Sequence, residues 1–484
     1  MLLRSLARDS IIYGGADFFT KIVAFIVFPL IAAAMSPHGF GTLELVLTTI
    51  NLLGLLMNCG MNNATQRFYW DAEIAENLRP SLVSGGLLTQ LTLGLLLAGI
   101  GIWFAPQIEY LMAHTGAPIT HNTLLAALLL LMVIQVTQYL LDVTRLHFAP
   151  WKFLVFSSLS RVLTMLAALY AVATLARGVE GYVQAQALVG LALIPLGIYL
   201  VRGDITWRID VPMLKQQIRF GYPFIFAGMA YWLFGSMDRW MLANMSSVEE
   251  TGIYSVAFRF ASIVLFVSAA FGQAWSPYAI KLKSDFPSHY KHIFAHILLL
   301  LLFVMLLVGG AISLFSGEIM ALFMPDAYRD AAIPLGILAF GIVLQATQQI
   351  TAIGISLERK TYILALMAWI TACVNLLGNW LLIPHYGATG AATATAFSYF
   401  VLTAGYIYFT QKLHPLPIAW KKLAVLLLLG GLVLAASILL HSATIEWRGI
   451  AAKLTIATLC VGLSLYCLPI RALRRLTAEL QPKT

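Results

Sequence analysis

The sequence is short of charge. Asp, Glu, Lys and Arg make up 11% of its 484 residues, against about a quarter in an ordinary globular domain. That shortage excludes a soluble enzyme, a disordered segment and a nucleic-acid-binding domain, despite a net charge of +9. Cysteine is scarce too. Cys59, Cys373, Cys460 and Cys467 all fall in apolar runs, so they read as small buried hydrophobes with no disulfide framework. Long polar loops are missing, which leaves no room for a soluble domain between apolar segments. Nucleophile elbows, phosphate loops and zinc motifs are also lacking, so we expect neither an enzyme nor a bound cofactor or metal.

What is present is apolar sequence. Hydrophobic residues make up 60% of the chain, enough for roughly 14 spans of ~20 residues. Fourteen such runs lie near 10–35, 40–63, 81–105, 122–144, 153–175, 182–201, 221–243, 251–274, 292–315, 331–354, 363–384, 390–410, 423–440 and 451–469. Backbone groups must be paired inside hydrocarbon, so these runs are expected to be helices. The first is too long for a signal peptide and reads as a span.

The cations test the count. With the N-terminus cytoplasmic, 22 of the 30 Lys and Arg fall on the cytoplasmic segments and 3 on the external ones. The other five (Lys21, Arg161, Arg239, Arg259 and Lys453) lie inside spans. This asymmetry is a positive-inside signature and puts both termini in the cytoplasm.

The chain also repeats itself. Val133-Ile134-Gln135-Val136-Thr137-Gln138 is echoed by Val343-Leu344-Gln345-Ala346-Thr347-Gln348 at an offset of 210. Tyr13 and Tyr222, Gly178 and Gly387, and Gly181 and Gly390 match at 209, and Met35-Ser36 and Met245-Ser246 at 210. Spans 1–6 and 7–12 therefore read as two copies of a six-helix unit in the same orientation. The expected architecture is an all-α polytopic membrane protein with 14 transmembrane helices. It comprises six-helix lobes at 1–201 and 219–412, a cytoplasmic linker at 202–218, and an appended helix pair with a tail at 413–484. Two parallel lobes facing each other would enclose a central cavity, as in an alternating-access transporter.

Several motifs carry a family resemblance. Ser236-Met237-Asp238-Arg239-Trp240-Met241-Leu242, followed by Thr251-Gly252-Ile253-Tyr254-Ser255-Val256-Ala257, resembles spans 7 and 8 of Wzx-type polysaccharide flippases. These belong to the multidrug/oligosaccharidyl-lipid/polysaccharide exporter superfamily. Pro384, Tyr386-Gly387 and Gly390-Ala391-Ala392 resemble the start of that family's span 12, Pro37 with Phe40-Gly41 its first turn, and Asn63 to Tyr69 the end of its second span. The resemblance covers spans 1–12 and, less distinctly, 13–14. It implies a flippase that moves a polyprenyl-pyrophosphate-linked oligosaccharide from the cytoplasmic to the periplasmic leaflet of the inner membrane. It also implies a V of two lobes around a hydrated cavity, with polysaccharide polymerase and glycosyltransferases as functional partners. The extra helix pair is more like the 14-span members, which include peptidoglycan lipid-precursor flippases. A cation-coupled drug exporter is the rival on the same fold. A membrane-bound polymerase or ligase is the rival of another class, although its chemistry would have to come from short external loops holding Glu109, His114, His121, Glu318 and Asp326.

Ionisable groups inside spans are functional hypotheses by default. Lys21 follows Asp17 by four residues. Either Lys21 meets the pyrophosphate while Asp17 orients it or carries a coupling proton, or the two are a structural pair. Arg259 is favoured as a cavity cation, because a guanidinium suits phosphate and stays charged when desolvated. Arg161 has the same chemistry but can reach the interface instead. Asp238-Arg239 reads more as a fold-stabilising element than a substrate contact, and Lys453 as a residue stretching to the interface. Glu44 is a candidate partner for Arg259 or Arg239. Asp142 with Arg145 reads as a cytoplasmic gate pair or an interfacial pair, and Arg67 as a further gate residue. Gln135, Gln138 and Asp142 share a helix face, as do Gln345, Gln348 and Gln349. They suit sugar hydroxyls, or they are helix–helix glue worth ~1 kcal/mol per contact. His289, His292 and His296 share a face too, but as interfacial histidines rather than a metal site.

Overall fold

The computed structural model describes residues 2–72, 74–441 and 446–468, with the side chains of 2–14, 16–18, 274, 276, 277 and 280 set aside. Among the described residues every regular element is helical. Eleven helices are long and apolar enough to cross a membrane. One of them, Tyr362–Leu413, is two helices merged across Gly387. The shorter apolar stretch Phe19–Ala33 and the helix Pro223–Met245 fall on the first and seventh of the fourteen runs. Each run thus lies on helix.

The chain divides into two compact units, 1–236 and 237–484, with the division inside the helix Pro223–Met245. In the first unit, His121–Leu146 packs along Gly178–Leu200 and Leu2–Ala33 along Pro150–Leu169. Helix starts are written locally. Ser36 accepts from Gly39 N, and Thr120 from Thr123 N. Pro37 and Pro150 stand in first turns, where a missing N–H costs nothing. The second span breaks at Cys59-Gly60, both left-handed (φ 48° and 70°), between Pro37–Asn58 and Met61–Phe68. Gly60 has no alternative here, since a Cβ would stand 2.1 Å from the carbonyl oxygen of Gly221. The segment read as a linker is seated against this unit. Thr206 N donates to Ser84 Oγ and Asp210 N to Ser81 Oγ, and Asp210 caps the helix Val211–Gly221. From that helix the buried Gln217 donates to Thr65 Oγ1 and the Leu82 carbonyl.

In the second unit, Ala332–Ala346 packs along Tyr362–Leu413, and Tyr290–Leu314 contacts both Ala332–Ala346 and Trp420–Leu439. At Gly387 (φ 49°) the chain turns out of helical geometry, and the Glu250 carboxylate accepts from Ala388 N at 2.6 Å to start the next helix. The tenth span differs from its expectation. It is helical over Ala332–Ala346, Gln348–Thr351 and Ile353–Leu357, with breaks between. Gln345 and Gln348 therefore stand on either side of a break rather than on one continuous face.

Backbone signatures recur at the offsets of the sequence repeat. Gly178 and Gly387 are both left-handed (φ 53° and 49°). Phe148 and Arg359, just after spans 4 and 10, are both left-handed as well (φ 50° and 56°), at an offset of 211. Ser36 and Ser247 each cap the helix that follows the first span of a half.

Candidate functional site

Two polar clusters lie inside the helices, one around Asp142 in the first unit and one around Asp238 in the second. In the first unit the Asp142 carboxylate is buried and accepts from Asn62 Nδ2 at 2.6 Å and Gln138 Nε2 at 3.1 Å. Asn62 Oδ1 in turn accepts from Asn58 Nδ2 and Gln90 Nε2, each at 2.7 Å. One turn before Asp142, Tyr139 donates to the Val83 carbonyl and meets Thr65 Oγ1 at 3.0 Å. Arg145 stands 3.6 Å from Asp142, half exposed, with its guanidinium over the Phe153 ring. The pair expected at the end of span 4 is thus an acid held by amides, with arginine at its edge. Arg67 is exposed and bonded to Asp71 at 2.8 Å. Gln135 fills the space left by Gly54, where a Cβ would lie 2.3 Å from its Nε2, so it works as helix–helix packing.

The cations of this unit lie on facing helices. Arg161 Nη1 donates to Thr20 Oγ1 at 3.2 Å, one residue from Lys21. Lys21 is partly exposed. The side chain of Asp17 lies outside the described residues. Glu44 is buried in Pro37–Asn58.

In the second unit, Asp238 is buried and its Oδ1 accepts from Arg239 N and Nη1, both at 2.9 Å. Tyr254 donates to Asp238 Oδ2 and meets Thr395 Oγ1, which accepts from Asn375 Nδ2; Asn379 donates to Asn375. The Arg239 guanidinium lies over the rings of Tyr254 and Phe258 at 5.4 and 4.8 Å. This knits the seventh span to the eighth and to the merged helix Tyr362–Leu413, as a fold-stabilising element would. Arg259 is half-buried near the end of Val248–Ala261. Gln345 Oε1 and Gln348 Nε2 are buried atoms with no hydrogen-bond partner among the described residues.

One expectation is corrected. Lys453 does not stretch to an interface. It is 1% exposed, and its Nζ lies 2.8 Å from both carboxylate oxygens of Glu318. A carboxylate within reach removes the reason to extend, because a paired charge is cheaper to bury than a lone one. Glu318, considered above among the few loop residues available for chemistry, is the structural partner of this lysine. Among the described residues no three His, Cys, Asp or Glu side chains gather to hold a metal ion.

The sequence reading missed Asn58, Asn62 and Gln90 around Asp142, and Asn375 and Asn379 around Asp238, and it met Tyr254 and Thr395 only as parts of family motifs. The available signal was amides inside apolar helices, including the four-residue spacing of Asn375 and Asn379. It also missed a clasp in each unit. His147 Nε2 bonds Asp204 Oδ2, and Tyr69 donates to the same carboxylate at 3.1 Å. In the second unit, His414 meets Glu358 through Nδ1 at 3.0 Å and Tyr290 through Nε2 at 2.9 Å. Burial, then the Asp204 charge, pushes the Tyr69 phenol up to about 12. The hydrogen bond from His414 holds Glu358 below the usual carboxylate range.

Ionisable and polar groups buried within spans are candidate functional sites, and comparison of whole chains places the fold. The structure overlays the lipid II flippase MurJ in its inward closed conformation with a TM-score of 0.74, over 94% of this chain and 98% of that one, at 14% identity. It overlays an inward-facing multidrug resistance MATE family transporter of the MOP superfamily with a TM-score of 0.62, over 81% and 94%, at 15% identity. The fold is that of the MOP superfamily.

The chain itself belongs to the polysaccharide biosynthesis protein family, whose model matches residues 6–283. Two curated relatives are similar across long stretches. Lsg locus putative protein 1 of Haemophilus influenzae is 24% identical over 283 residues, 56% of this chain and 65% of its own length. An uncharacterized membrane protein of Methanocaldococcus jannaschii is 23% identical over 439 residues, 85% of each chain. The chain spans just under two thirds of the Haemophilus relative.

Proposed function

We propose that the protein is a flippase that carries a polyprenyl-pyrophosphate-linked oligosaccharide across the inner membrane, from the cytoplasmic to the periplasmic leaflet, by alternating access. The observation that carries this reading is the placement of Arg161 beside Thr20, one residue from Lys21. Two cations on facing spans suit a pyrophosphate, which offers several anionic oxygens at once. Arg259, half-buried in the second unit, keeps its reading as a cation suited to phosphate. Gln138 and Gln348 belong to the polar surface that hydrates the sugar. The driving force is an ion gradient or the membrane potential. Both termini lie in the cytoplasm, in keeping with the cation asymmetry.

A second reading, transfer of a peptidoglycan lipid precursor, draws on the extent of the fold match to the lipid II flippase. It keeps the same chemistry, a polyprenyl pyrophosphate.

The full chain reconstituted in liposomes tests the proposal, with a fluorescent short oligosaccharide on polyprenyl pyrophosphate as probe. Wild type is expected to move the probe intact to the opposite leaflet, and Lys21→Ala and Arg161→Ala to slow it at least tenfold with normal insertion. Wild-type transfer in both variants removes the cation assignment. Cleavage or polymerisation of the probe moves the protein to the enzymes.

A further inference from the structure

Asp142 is a buried acid of the first unit that the transport reading does not use. Asp142 is 7% exposed and lies one turn before the end of the helix His121–Leu146. Two amide N–H groups hold it, from Asn62 and Gln138. The helices around it supply little charge. Arg145 is 3.6 Å away and half exposed. On Met61–Phe68, Arg67 is paired with Asp71. On Gly178–Leu200 the acid, Glu180, is at the far end, bonded to Thr120. On Pro150–Leu169, Lys152 is exposed and Arg161 donates to Thr20, and on Pro37–Asn58 the acid is the buried Glu44. Arg79 begins its helix bonded to the Tyr69 carbonyl and to Glu76. Tyr139 donates to Val83, and beyond the helix end His147 and Asp204 are bonded to each other.

The amides around Asp142 form a chain with a direction. Asn58 and Gln90 donate to Asn62, and Asn62 donates to the carboxylate. Every N–H points toward the anion, and one acceptor is left over at the far end. Gln90 is fully buried, and its Oε1 has no partner among the described residues. Such an acceptor is open to a donor that the reversed arrangement can supply. Protonation of Asp142 creates that arrangement. A carboxylic acid needs an acceptor where the carboxylate needed a donor. If the Asn62 amide turns over, its Oδ1 accepts the new O–H and its Nδ2 faces outward. Gln90 and Asn58 then turn over in the same way, so that the orphan Oε1 receives the Asn62 N–H.

We propose that Asp142 is a proton-binding site of the first unit, and that the chain Asn62, Gln90 and Asn58 reverses its hydrogen bonds as the proton enters and leaves. The step balances simply: one proton adds to Asp142 Oδ2 to give the neutral acid, and its loss restores the carboxylate. The chain spans a joint. Asn58 and Asn62 flank the left-handed pair Cys59-Gly60, where the second span breaks and where Gly60 is pressed against the end of Val211–Gly221. Reversal therefore changes the bonds on both sides of that break. The use of this proton to drive transport rests on the flippase reading, whereas its binding does not.

Infrared titration of the full-length protein in lipid nanodiscs tests the site without any substrate. A protonated-carboxyl C=O band is expected to grow as the pH falls, to disappear in Asp142→Asn and to change frequency in Asp142→Glu. Hydrogen exchange across residues 58–62 is expected to depend on pH in wild type and Asp142→Glu, and to be independent of pH in Asp142→Asn. A titrating band identical in wild type and both variants overturns the proposal. So does pH-dependent exchange at 58–62 that survives Asp142→Asn. Should the liposome assay show no lipid-linked transfer while the titration behaves as expected, the flippase reading fails and the proton site stands.

Discussion

The two units close their ends with the same clasp, built with acid and base exchanged. His147 and Glu358 stand at an offset of 211, Asp204 and His414 at 210. In the first unit the acid is the buried member and takes the tyrosine hydroxyl; in the second the histidine is buried and takes it. The tyrosines, Tyr69 and Tyr290, come from different places in their halves. Each unit thus joins the end of one span to a later stretch of chain through an acid–histidine pair. The identity of each partner was free to change because either order satisfies the same two polar groups. A clasp of this kind is a structural contact, since a chemical role would have fixed which residue is the acid.

The comparison is easiest to break at its buried members. Asp204→Ala leaves His147 and the Tyr69 hydroxyl without their acceptor in a buried setting and should cost about 2–3 kcal/mol. His414→Ala should cost about the same, whereas Glu358→Ala, at a side chain 39% exposed, should cost clearly less than either. Denaturation of the purified variants in detergent ranks the three. If Glu358→Ala proves as damaging as Asp204→Ala, the two clasps do not share one logic. The exchange itself comes next. His147→Glu combined with Asp204→His would give the first unit the order of the second, and it should recover at least half of the loss caused by Asp204→Ala.

The pH responses should also differ. Glu358 titrates below its ordinary range, so its contribution is complete above that range and lost as the pH falls through the lowered value. Tyr69 is raised to about 12, so its contribution is complete below the ordinary tyrosine range and lost as the pH rises through about 12. Hydrogen exchange near residues 358 and 414 should therefore loosen first in acid, and phenolate absorbance assigned through Tyr69→Phe should appear only near the alkaline limit. The smallest effect is at the backbone. Phe148→Gly and Arg359→Gly, at matching left-handed positions, should each change stability by no more than about 1 kcal/mol. Their effects should match if the two turns are equivalent.

Much of this architecture was legible in the residues. The apolar runs lie on helix because nothing else pairs a backbone in hydrocarbon, although the second and the tenth are broken. Asp238-Arg239 was legible because its partners are neighbours in sequence. The clasps were not, since His147 and Asp204 are joined only when two helix ends are brought together, and apolar periodicity does not report which ends meet. Lys453 was misread for the same reason. Its partner lies 135 residues earlier, and a lysine near a helix end looks alike whether an acid waits beside it or not. The amide chain on Asp142 needed the register of three helices. Gln90 stood in the apolar run 81–105 as the visible sign that one face of that helix was not meeting lipid.

The bond between Lys453 and Glu318 also sets an order of synthesis. The carboxylate leaves the ribosome 135 residues before the lysine that it will hold. That helix then brings a cation to a place where its counter-ion is already waiting, so the newest part of the chain is received by an older one. A chain stopped short of the final helix would keep Glu318 without its lysine.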